Sequence, residues 1–260
     1  MSEAVGAVTE AIDSPHVDLG LLGERFVYFR LPPVTAQDEY DACIVVDHNA
    51  GRQRDVRAQR SAAVRSLFDA LAIPDHLSSP TDDERDRLIT LANLGTRCRS
   101  AVVRDGYTRE IEVVPGHEHS PRLFGQLHQF HAGLALIRTP PEVLRKVLAK
   151  AALDGVHPGR RVVMEYLLRT PGAHTTATVA GHCRLTQTPI RRHLQDLMAH
   201  GVVELVGEAP EQWSASDWLR ERWWAVDDDP PSDPKPASNV LPLRRESIGD
   251  LADTEEVLSW

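Results

Sequence analysis

The side chains best suited to chemistry in this sequence lie between Thr186 and Gly201. Ile190, Leu194 and Leu197 recur at helical spacing and predict a buried stripe. That stripe leaves Gln187, Thr188, Arg191, Arg192 and Gln195 on the opposite face. A guanidinium can hold guanine through two parallel hydrogen bonds, and a glutamine amide can hold adenine similarly. The set suits the reading of base edges more than the making of bonds. Thr176, near the start of the preceding short helix, can offer its hydroxyl or a backbone N–H to a phosphate. Thr186 is placed to cap the helix start, and Gly201 to end it.

Other reactive groupings are weaker. His117, His119, His128 and His131 cluster, and the last two are spaced to share a helix face. Such a pair can chelate a metal, yet Glu118 is the only further ligand nearby, so a mixed polar surface is the better reading and no metal or other cofactor is expected. Asp105, His117 and Ser120 lack the order and the nucleophile elbow of a hydrolase. A phosphate-cradling loop needs glycines ending in Lys-Ser or Lys-Thr, and no GxxxxGK[ST] string occurs. The chain is therefore not expected to be an enzyme on its own.

The elements that must position these residues are mainly helical. Gly23–Pro33 reads as a strand closed by a double proline. Helices follow over Ala36–Asn49 and Arg52–Leu71, the second with a basic side of Arg52, Arg54, Arg57, Arg60 and Arg65. Those arginines could follow a phosphate backbone, but the favoured expectation is that they are solvated or paired with the acidic helix start at Thr81–Glu84. Leu88, Leu91, Leu94, Cys98 and Val102 continue one face of that next helix. Arg109–Val114 alternates like a short strand. Ser120-Pro121 opens a helix with Leu123, Leu127, Phe130, Leu134 and Ile137 inward, and Thr139-Pro140-Pro141 opens another that runs to Leu153. Beyond the break at Asp154–Gly159 come helices over Arg160–Arg169, Thr175–Cys183 and Thr186–Gly201, then a strand at Val202–Val206. Trp213, Trp218, Trp223 and Trp224 fit a second strand and a closing segment.

The formal net charge of −9 looks wrong for a partner of nucleic acid, but its distribution is uneven. Residues 227–260 carry nine acidic and three basic groups, giving −6, whereas 156–207 carry six arginines against Glu165, Asp196 and Glu204, giving +3. The Asp-, Pro- and Ser-rich tail is expected to be disordered. Three scattered cysteines, no signal-like N-terminus and no long apolar run point to a cytoplasmic chain with no membrane partner.

The string LTQTPIRRHLQDLMAHGVVEL resembles the recognition helix and wing entry of bacterial winged helix-turn-helix regulators, a likeness spanning about 50 residues. Three shorter strings resemble the later part of an AAA+ ATPase of the minichromosome-maintenance or phage and plasmid type. VGAVTEAID at 5–13 looks like a sensor 1 strand, LGERFVYFRLP like an arginine-finger segment, and SPRLFGQLHQFHAGLALI like a sensor 2 helix. The resemblance would make Arg25 the finger and Arg122 the sensor arginine, both acting in trans on a neighbour's nucleotide. Walker A and Walker B regions have no counterpart here. The expected organisation is an AAA+-remnant strand segment (1–33), a lid-like helical bundle (34–155), a winged helix-turn-helix (156–226) and an acidic tail (227–260). The expected partner is double-stranded DNA, with an ATPase subunit or a self-oligomer as alternatives, and a protein-interaction module as a third reading.

Overall fold

The computed structural model describes residues 27–32, 34–71, 74 and 79–227. They form a mainly helical molecule with two small antiparallel sheets. The expected sensor-like segment at 5–13, Arg25 and almost all of the acidic tail lie outside the described residues. The part of the expected N-terminal strand that is described, residues 27–32, joins no sheet. Instead the Arg30 backbone N–H donates to Asp154 Oδ2 (2.6 Å) and its Nε donates to the Asp154 carbonyl (2.8 Å). Side-chain and backbone acceptors of Asp154 thus hold Arg30 where a neighbouring strand was expected.

Helices α1 (Ala36–His48) and α2 (Gln53–Ala70) come first, and neither buries a single residue. Thr35 and Asp38 close a capping box at the start of α1. The arginines of α2 form no ion pair with the acidic start of α3 (Asp82–Arg99). There Asp82 pairs with Arg85, and Glu84 closes a second capping box with Thr81.

Helix α3 packs against α4 (Ser120–Leu136) and α5 (Pro141–Leu153). Leu88, Leu91, Leu123, Leu127 and Leu148 fill the space between them. Gly95 sets the closest approach: a Cβ there would lie 2.5 Å from the Ala152 carbonyl oxygen and 2.8 Å from Leu123 Cδ2. Phe130 and Ile137, expected inside, are exposed. They share the stripe of Leu123 and Leu127, but α4 has by then reached the first turn of α3, where His131 meets Glu84, and no helix among the described residues covers them. Val102 is buried as expected, although α3 has already ended at Arg99.

Between α3 and α4 a small hairpin pairs β1 (Val103–Arg104) with β2 (Ile111–Val113). After α5 come α6 (Pro158–Arg169), β3 (His174–Thr175), α7 (Thr176–Cys183) and α8 (Gln187–Ala199), then β4 (Val203–Glu208), β5 (Glu211–Ala215) and a short α9 (Asp217–Arg220). The second sheet has the order β3-β5-β4. Val163, Leu167, Val179, Ile190, Leu194 and Trp213 pack beneath it. Leu94 and Cys98 from α3 belong to this same cluster, and Ala225 from beyond α9 belongs to the α3–α5 cluster. The two cores therefore interlock through α3.

Candidate nucleic-acid interface

Helix α8 is fixed from below and open above. Ile190, Leu194 and Leu197 are buried to 1% exposure or less. Gln187, Thr188, Arg191 and Arg192, at its N-terminal half, are exposed. The turn that delivers α8 depends on Arg184, whose φ of 54° places it in the left-handed region at the end of α7. The Leu185 N–H then bonds the Ala180 carbonyl at 3.1 Å, closing the turn. Thr186 takes extended backbone geometry as the residue before α8, but its side chain makes no capping bond. The first-turn N–H groups of α8 are thus not satisfied by a side-chain cap.

The polar residues on the open face differ in how free they are. Arg192 has no partner for its guanidinium among the described residues. Arg191 donates to Glu211 Oε1 at 2.6 Å across to the start of β5. Its side chain is 55% exposed, so this bridge stabilises by about 0–1 kcal/mol and exchanges readily. Gln195 is only half exposed, and its Oε1 accepts from Arg104 Nη1 at 3.3 Å. Thr176 is also committed: its Oγ1 accepts from the Trp213 indole N–H at 3.0 Å, and Thr175 caps α7 by accepting from the Thr178 N–H. The structure thus brings Gln187, Thr188, Arg191 and Arg192 together on one free surface, with Gln195 at its edge and Thr176 turned to a packing role.

Sequence reasoning missed the residues that fix this surface to the rest of the molecule. Asp196, next to the free face, is 8% exposed and accepts from two arginines. Arg104 of the β1–β2 hairpin reaches its Oδ1 at 2.6 Å, and Arg160 of α6 reaches its Oδ2 at 2.9 Å. Arg104 also donates to the Arg192 carbonyl at 3.2 Å, and Arg160 to the Ser100 carbonyl at 2.6 Å. A carboxylate beside a predicted apolar stripe was the available signal, but its partners lie 36 and 92 residues away in sequence. The hairpin tip next to this knot holds Tyr107 at 95% exposure.

Two histidines line the inner edge of α8. The ring of His193 lies 4.9 Å from that of His157 and directly against Gly159, where a Cβ would collide with it. Burial, reinforced by the nearby His157 and Arg160, pulls the His193 pKa down to about 4. His200 donates from Nε2 to the Ala101 carbonyl at 3.1 Å, and burial lowers its pKa too.

The loop of the β4–β5 hairpin and its flanks carry Glu204, Glu208 and Glu211, with no Lys or Arg from Gly201 to Gln212. The electrostatics around α8 are therefore divided, cationic on its free face and at Arg184, acidic on the adjoining hairpin. Arg122 is exposed in the first turn of α4, and its guanidinium has no partner among the described residues. His131 is buried near Glu84, whereas His128 stacks loosely on Phe124 at 5.9 Å, so the two do not meet at a common point. Neither a family model, a curated protein nor a solved structure matches this chain.

Proposed function

We propose that residues 156–226 form a winged helix-turn-helix that binds double-stranded DNA, and that the chain is a sequence-directed regulator of transcription or an accessory factor in mobile-element replication. The observation that carries this reading is the exposed row Gln187, Thr188, Arg191 and Arg192 on a helix whose other side is locked in the core. The element order helix, strand, helix, helix and two strands, with β5 between β3 and β4, supports it. In this mode the N-terminal half of α8 enters the major groove and reads bases, while Arg184 and the first-turn N–H groups meet phosphates. The acidic β4–β5 hairpin contributes no phosphate contact, so affinity rests on few cations and a shallow salt dependence is expected.

Duplexes selected from a random pool by the purified protein test this reading, with affinity measured by fluorescence anisotropy at two salt concentrations. Arg192→Ala is expected to weaken selected-site binding roughly tenfold or more and to relax preference at one base position. Glu211→Gln, which releases Arg191, is expected to tighten it. Selection that yields no enriched sequence, or an R191A/R192A double variant that binds as well as the parent, would overturn the assignment.

A further inference from the structure

We propose that α1 and α2 form a self-association surface, in which the acidic α1 of one copy lies against the basic α2 of a second copy and a two-fold axis makes that contact twice. This inference is independent of the DNA reading. Helices of 13 and 18 residues without a single buried side chain are only marginally stable alone in water. Both nevertheless display large apolar groups: Tyr40 and Ile44 on α1, and Val64, Leu67 and Phe68 on α2, are each 40–63% exposed. Ile44 follows Tyr40 by one helical turn, and Leu67 follows Val64 in the same way, so each helix offers a narrow apolar stripe.

Charge identifies the occupant. Helix α1 carries Asp38, Glu39, Asp41 and Asp47 and no Lys or Arg. Helix α2 carries Arg54, Arg57, Arg60 and Arg65 against Asp55 and Asp69. None of these four arginines forms an ion pair among the described residues, and the acidic start of α3 is occupied internally. Within one chain α1 and α2 do not pack on each other, since each leaves its stripe exposed across the turn at Asn49–Arg52. A second copy supplies the complement of both at once, acid to base and stripe to stripe. A two-fold arrangement is the commonest way for one surface to satisfy itself. The helices are about 20 and 27 Å long, and side by side across an axis they offer an area on the order of the 800 Å² per partner found in specific interfaces.

Sedimentation equilibrium of the full chain over a range of concentrations, at low and high salt, tests the proposal. The expected mass is twice the 28.9 kDa of one chain, with association weakening as salt screens the charges. Leu67→Asp with Phe68→Asp should weaken association by more than about a hundredfold, because two apolar groups are lost on each copy. Arg57→Glu with Arg60→Glu should weaken it roughly tenfold, and adding Glu39→Arg with Asp41→Arg should restore it. Circular dichroism keeps the substitutions interpretable, since the α3–α8 core should melt unchanged. A monomeric parent protein overturns the proposal. If Cys43 on α1 then resists a thiol reagent, the chain's own flanking residues are the occupant; if it reacts at once, the surface is vacant. A dimer that survives both the aspartate and the glutamate variants overturns it as well, by placing the contact elsewhere.

Discussion

His193 is neutral in the folded protein because its ring is buried against Gly159, where a charge is poorly solvated, and because His157 and Arg160 nearby disfavour a further positive charge. Its folded pKa of about 4 lies below the unfolded value near 6.5, so between these values the unfolded chain binds more protons. Stability is then fully present above the unfolded value and is lost as pH falls toward 4. The loss is of the order of 3 kcal/mol at most. Urea midpoints measured from pH 7.5 to 4.5 should fall over this window in the parent and fall less in His193→Leu. His200, lowered in the same direction, adds to the slope. At this scale the exposure of Arg191 and Arg192 was legible from the sequence, because an amphipathic helix declares its outer face. The commitments of Thr176, Gln195 and Arg191 were not, because Trp213, Arg104 and Glu211 come from distant parts of the chain.

Among the elements, α3 is tightly confined at one glycine. Its Gly95 faces the Ala152 backbone of α5 and the Leu123 side chain of α4. The carbonyl cannot move aside as a flexible side chain would, so Gly95→Ala should cost about 1–3 kcal/mol, read as a lowered thermal midpoint with the fold retained. The helices themselves were largely legible. Thr81 marked the start of α3, and prolines marked those of α4 and α5. The helix expected from Arg160 begins already at Pro158, inside the expected break, and Thr175 caps α7 where it was expected to be its first residue. Strands were harder to place. Strand β2 showed alternation, whereas its two-residue partner β1 is too short to leave a pattern. The expected strand before Pro33 had the right residue types, but in the described part Arg30 bonds to Asp154 and residues 27–32 join no sheet. The exposure of α1 and α2 could not be read from periodicity, which marks an apolar face but not whether anything covers it.

For the molecule as a whole, the sequence suggested a division near residue 155, where Asp154–Gly159 breaks the helical pattern. The packing runs across that point. Asp154, 1% exposed, gathers Arg30, Lys150 and Arg161 at the break itself. Arg87 of α3 reaches the Trp224 and Ala225 carbonyls near the far end of the described chain. Differential scanning calorimetry of residues 1–260 should therefore show one transition for α3 through β5, with calorimetric and van't Hoff enthalpies in agreement. Two resolved peaks would show that the halves unfold separately. The threading of Leu94 and Cys98 into the second core also bears on how this protein can be dissected. Cutting the chain just before α6 would leave two empty sockets where those side chains sat and strip Arg160 of its Cys98 and Ser100 carbonyl acceptors. A minimal folded fragment that carries α8 should accordingly begin upstream of Thr81, and a shorter one is expected to be insoluble or to melt well below the parent chain.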